Sequence, residues 1–106
     1  MAAVPAPVSR LLEAANAHDT DAFLAAFTDD GVVDDWGREF TGLDGIRGWS
    51  DSEFIGVAVN LSVKQVDSTE GEATVLAQVR GNGYTGPSQF SFTLRDGLVS
   101  RMTIRQ

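Results

Sequence analysis

Residues 23–49 read FLAAFTDDGVVDDWGREFTGLDGIRGW, and they constrain the fold more than any other part of the chain. A short amphipathic helix burying Phe23, Leu24 and Phe27 comes first. Asp29 and Asp30 sit badly at the negative end of a helix dipole, and Gly31 can supply the left-handed residue of a C-terminal cap. The helix is therefore expected to end near Thr28. Val32 to Trp36 reads as a short strand carrying Asp34 and Asp35. Residues 37–42 form a turn with a brief extended piece through Phe40. Residues 44–54 form another helix, with Ile46 and Trp49 three apart and with Gly45 and Gly48 weakening it.

Upstream, Pro7 can open a helix, because its missing N–H is no loss in the first turn. Val8, Leu11, Leu12 and Ala15 then recur at helical period. Asp19 is a suitable N-cap for the helix that follows, and Asp21 suits its positive end. Downstream the period changes to two. Val57, Val59, Leu61 and Val63 are expected on one strand face. Thr74 to Arg80 follows a turn at Glu70-Gly71. Phe90, Phe92 and Leu94 alternate with Gln89, Ser91, Thr93 and Arg95. Asp96-Gly97 signals a hairpin, and Val99 to Arg105 closes the sheet. Helices first and meandering strands after predict an α+β fold, with helices covering one face of a curved antiparallel sheet.

The 106 residues suit a single domain, 1–106. The chain has no cysteine, which removes disulfide and thiolate chemistry and fits a reducing, cytoplasmic setting. The opening MAAVPAPVSR is apolar but too short and proline-rich for a secretory leader, and no run is long enough to span a membrane. The net charge of -7 is uneven. Residues 1–54 hold eleven acids and three arginines, while residues 55–106 hold four acids and five bases. An acidic chain repels phosphate backbones, so nucleic acid is not an expected partner. The acidic half reads as a solvated helical surface.

The order F-L-A-A-F-T-D-D-G-V-V-D-D-W-G followed by G-x-x-G-I resembles the nuclear transport factor 2-like superfamily, which contains ketosteroid isomerase and the SnoaL-like polyketide cyclases. The resemblance spans the chain in element order and is most specific over residues 16–49. It implies a cone-shaped α+β roll, cystatin-like, with three helices packed on the sheet. It also implies a pocket between helices and sheet, and a homodimer through the sheet. Asp35 falls at the position of the general-base aspartate of ketosteroid isomerase. Leu11 falls where that enzyme carries an oxyanion-hole tyrosine, and Phe92 where it carries a protonated aspartic acid. Both donors are therefore absent. An oxyanion donor is worth about 3–4 kcal/mol, so steroid isomerisation by that route is not expected.

Asp34 and Asp35 are strand neighbours and must point to opposite faces. If Asp35 points inward among Leu11, Trp49 and Phe92, desolvation raises its pKa and makes it a candidate proton shuttle. The alternatives are a solvated strand-end carboxylate or one paired with Arg38. Trp36, Trp49, Tyr84, Phe90 and Phe92 are candidates to line an apolar ligand cavity, with ordinary core packing as the alternative. Tyr84, in a glycine-rich loop, is the candidate to cap the pocket mouth and donate a hydrogen bond. Arg38 is a candidate to steer an oxygenated ligand, or else a surface ion-pair partner.

His18, the single histidine, is expected in a solvent-exposed turn. Residues 81–86 match G-x-G-x-x-G, yet Pro87 and an alternating run follow in place of a helix, which argues against dinucleotide binding. Asp29-Asp30 with Asp34-Asp35 lacks calcium-loop spacing, and one histidine without cysteine argues against zinc. No cofactor is required. Two classes of function remain. One is an acid–base isomerase or cyclase acting on a small hydrophobic, oxygenated molecule. The other is a non-catalytic ligand-binding or dimerisation module.

Overall fold

The computed structural model describes residues 4–81 and 84–105. Two helices open it, α1 (Ala6–Asn16) and α2 (Thr20–Ala25), followed by β1 (Phe27–Asp35) and β2 (Arg38–Thr41). Then come α3 (Gly42–Glu53), a 3-10 turn (Ile55–Val57), β3 (Asn60–Thr69), β4 (Glu72–Arg80), β5 (Gly86–Arg95) and β6 (Leu98–Arg105). The six strands form one sheet in the order β2-β1-β6-β5-β4-β3. Neighbours are antiparallel except β1 and β6, which run parallel. Register shifts mark bulges in β1, β3 and β6, which bend the sheet around the helices.

The helical stripe of α1 is buried as its period requires, with Val8, Leu11, Leu12 and Ala15 in the core. Asp19 caps α2 by accepting from the Ala22 amide at 3.1 Å. His18 lies exposed in the turn between the helices, and its Nε2 donates to the Val59 carbonyl at 2.8 Å. Beside it, the Asn16 amide acts like one residue of a neighbouring strand. Its Nδ2 donates to the Leu61 carbonyl at 3.0 Å, and its Oδ1 accepts from the Leu61 amide at 2.6 Å. These bonds tie the first helices to the edge strand β3.

Three boundaries differ from the sequence expectation. Helix α2 stops at Ala25, not Thr28, and Gly31 is not left-handed. Residues 28–31 form the bulged start of β1, with Asp29 and Asp30 exposed and Asp30 paired to Arg95 at 2.6 Å. Val57 belongs to the 3-10 turn and not to a strand. Val63, paired with the buried Ala77, is nonetheless exposed on the edge strand β3, and after the bulge between Val63 and Gln65 it is Val66 that takes the next core position. The Asp96-Gly97 turn forms as expected, with both residues at positive φ.

Candidate functional site

Strand β1 ends on a two-residue hairpin loop, Trp36-Gly37, with Asp35 paired to Arg38 across it. Both loop residues have positive φ, +55° and +91°, the geometry that joins tightly twisted strands. Asp34 holds this hairpin from the face away from the helices. Its Oδ1 accepts from the Gly37 amide at 2.7 Å and from Arg105 at 3.0 Å, and its Oδ2 accepts from Arg101 at 2.8 Å. The Arg105 hydrogen bond is the chief reason that the Asp34 carboxyl lies below the ordinary carboxylate range. Burial opposes it, and the Gly37 amide and Arg101 assist. Asp34 is thus structural: it fixes the turn that presents its neighbour.

Asp35 points to the opposite face, as strand geometry demands. Its Oδ2 accepts from the Trp49 indole Nε1 at 3.1 Å and from Arg38 Nη2 at 2.8 Å. Arg38 also reaches Glu53, with contacts of 2.6 and 3.1 Å, so it bridges the hairpin and the end of α3. That Glu53 contact is the main reason the Arg38 guanidinium is raised above its ordinary value, with Asp35 adding to it. Asp35 is thus paired with Arg38 while also facing inward to Trp49. Oδ1 has no hydrogen-bond partner among the described residues.

An aromatic chain runs from the core to this carboxylate. Phe23 meets Phe27 edge-on at 5.2 Å and Phe54 at 5.6 Å, and Phe54 stacks on Trp49 at 4.8 Å. The stack fixes the indole plane and hence the direction of its N–H. Around Asp35 lies a cavity of about 310 Å³, at the small end of ligand-pocket volumes. Trp49, Phe54, Phe90 and Ile104 form its inner wall, and the exposed Trp36 and Tyr84 its outer one. Val57, Val59, Val79, Gly81, Ser52, Glu53 and Ser88 complete the lining.

Of the residues singled out from sequence, Asp35, Trp36, Trp49 and Tyr84 come together at this cavity. Phe90 joins them. The Tyr84 hydroxyl donates inward, to the Pro87 carbonyl at 2.9 Å. Arg38 does not line the cavity and acts on it through Asp35. Leu11 and Phe92 require correction: both are fully buried in the core and neither lines the cavity. Asp35, Ile104 and Phe90 share one cross-strand row, while Phe92 lies a row further on, paired with Met102. Leu11 sits on the buried stripe of α1.

Sequence reading missed Phe54, Glu53, Ile104 and Ser88. Ser88 had a usable signal, since it extends the inward alternation of Phe92 and Phe90 by one step. The motif at residues 81–86 runs directly into β5 with no helix after it, and its residues 82 and 83 lie outside the described residues. Among the described residues, no three His, Asp or Glu side chains converge as a metal-ligand set.

A helix-backed bent sheet with a pocket at its open side defines the nuclear transport factor 2-like class of α+β domains. The chain belongs to the SnoaL-like domain family, whose model matches residues 8–102. Among solved structures it is similar to a candidate polyketide cyclase from Sinorhizobium meliloti, with 27% identity and a TM-score of 0.85, covering 96% of this chain and 95% of that one. A candidate ketosteroid isomerase from Kribbella flavida shares the fold at 18% identity and a TM-score of 0.83, covering 94% and 74%. A Mycobacterium tuberculosis protein solved with estradiol-17beta-hemisuccinate does so at 16% identity and a TM-score of 0.80, covering 94% and 90%. No curated protein matches. No helix among the described residues is long and apolar enough to cross a membrane.

Proposed function

We propose that the cavity beneath β1, β6 and β5 binds a small hydrophobic, oxygen-bearing molecule, and that Asp35 moves a proton on it in isomerase- or cyclase-type chemistry. The observation that carries this reading is the Asp35 carboxylate set into a largely apolar wall that also holds Glu53, with one Asp35 oxygen anchored and the other without a hydrogen-bond partner among the described residues. Trp49 and Arg38 fix the group through Oδ2, leaving Oδ1 to accept a proton from a carbon made acidic by an adjacent carbonyl. The C–H electron pair passes into the enolate, and the same proton returns at a second carbon. No net oxidation occurs and no cofactor enters.

The test is turnover of a panel of bicyclic unsaturated ketones and β-diketones by wild type and Asp35→Asn. A positioned acid–base group contributes roughly 10²–10⁴-fold, and the variant is expected to lose that much. Equal turnover removes Asp35 from the chemistry.

A second reading is a ligand-binding or dimerisation module without catalysis. It is supported by the two core positions, Leu11 and Phe92, which offer no oxyanion donor, and by the exposed Leu76 on the sheet face away from the helices. A homodimer on that face would bury Leu76 with Gln89, Ser91, Thr93, Thr103 and their neighbours. Sedimentation decides this point, and a monomer at high concentration contradicts it.

A further inference from the structure

Five aromatic residues and two acids line the cavity, and no Lys, Arg or His lines it among the described residues. The two acids, Asp35 and Glu53, share one cation. Arg38 Nη2 donates to Asp35 Oδ2 at 2.8 Å and to Glu53 Oε1 at 2.6 Å. Its guanidinium carbon lies 5.6 Å from the centroid of the Phe40 ring, and the residue does not line the cavity. One positive charge held outside therefore faces two negative charges at the wall, which leaves a surplus of one negative charge there.

This surplus decides which ligand suits the cavity. A neutral molecule that settles over Asp35 and Glu53 strips water from their carboxylates and returns no charge, and desolvating an ion is costly unless a counter-charge replaces the water. An anion adds repulsion to that loss. A cation offsets it. The aromatic walls favour the same sign, because the face of an indole or phenol ring is the negative part of its quadrupole. Trp36 and Tyr84, at the outer wall, are 56% and 45% exposed, and neither packs on another ring among the described residues. A hard metal ion needs several oxygen ligands, and no three acids converge among the described residues. An alkylammonium group needs only a carboxylate nearby and ring surface against its methyl groups.

We infer that the outer part of this cavity recognises the alkylammonium group of a ligand, with Asp35 and Glu53 supplying the opposite charge and Trp36 and Tyr84 the ring surface. This rests on the cavity reading above and narrows its ligand class to oxygen-bearing molecules that carry a quaternary or protonated amine.

The probes are 3-hydroxyphenyltrimethylammonium and 3-tert-butylphenol, which share a shape and a hydroxyl and differ by one charge. Affinities are measured at about pH 6.5, where both hydroxyls keep their proton, from amide and indole N–H shifts of labelled protein. Wild type is expected to bind the cation about tenfold more tightly than the phenol, with the largest shifts at the Trp36 and Trp49 indoles. Glu53→Gln is expected to reduce that ratio about threefold through the lost charge, and Trp36→Leu about threefold through the lost ring. Both ligands meet the same protein, so a variant that merely loosens the cavity weakens both and keeps the ratio. A preserved ratio in either variant, or wild type binding the phenol as tightly as the cation, overturns the assignment while the cavity reading stands. Failure of wild type to bind either compound overturns both. A repeat at about 0.5 M salt separates the site from the acidic surface at large, because diffuse attraction is screened and a close ion pair much less so. Loss of the wild-type ratio in that salt also overturns the assignment.

Discussion

Trp36 occupies the first loop position of the β1–β2 hairpin at φ +55°, where Asn or Asp ordinarily precedes glycine. A bulky side chain in this region is strained by about 1–2 kcal/mol. The residue is 56% exposed, so burial returns little of that. Its place on the cavity wall supplies a reason to keep it. Trp36→Asn is therefore expected to raise stability by about 0.5–1 kcal/mol while weakening binding of a small aromatic ketone, 2-acetyl-6-hydroxynaphthalene, in the cavity. Denaturant unfolding and a fluorescence titration check both halves, and a destabilised variant contradicts the account. At this scale the sequence was informative about direction. Period two put Asp34 and Asp35 on opposite faces, and Arg38 was already the rival partner for Asp35. Position along a strand was less legible. Phe90 and Phe92 share a face and a chemistry, and only the β5–β6 register tells which one meets the row of Asp35.

The 3-10 turn after α3 is the element that shapes the cavity floor, since it carries Val57 and leads to Val59. It packs so closely on the last turn of α3 that a Cβ at Gly56 would overlap the Asp51 carbonyl. Backbone cannot swing aside as a side chain can. Gly56→Ala is expected to cost about 2–3 kcal/mol, well beyond a helix-propensity effect, and to weaken cavity binding as the two valines shift. Thermal unfolding and titration check this, and a variant of unchanged stability contradicts the close packing. Elements with a clear period, such as α1, β4 and the Asp96-Gly97 hairpin, were readable because one physical signal dominated. The start of β1 was not. Asp29-Asp30-Gly31 looks like a helix stop, yet it serves as a bulge whose acids face water and Arg95. A bulge has no period, so nothing local announces it.

Across the whole molecule the lopsided charge acquires an explanation that composition alone did not supply. Asp30, Asp34 and Glu39 from the acidic half meet Arg95, Arg101 and Arg105 from the basic half. Part of the acidic surface is thus internal complementarity and not a solvated helix face. Asp34 has a folded pKa held below its unfolded value of about 3.9. The sign of the linkage follows: its contribution to stability is complete above that pH and disappears as pH falls through the lowered value. Melting temperatures from pH 7 to 2.5 are expected to fall more steeply for wild type than for Asp34→Asn. Parallel curves contradict a structural role for that carboxylate.

The central claim is that a small apolar, oxygenated molecule settles against Asp35 beneath the bent sheet. Its most direct test is a titration of isotopically labelled protein with 2-acetyl-6-hydroxynaphthalene, followed by amide and indole N–H shifts. The account predicts the largest changes at the Trp49 indole, whose N–H already points at Asp35, and at the Trp36 indole, Phe90 and Ile104. Changes confined to the groove between α1 and α2, or no change at saturating probe, contradict it.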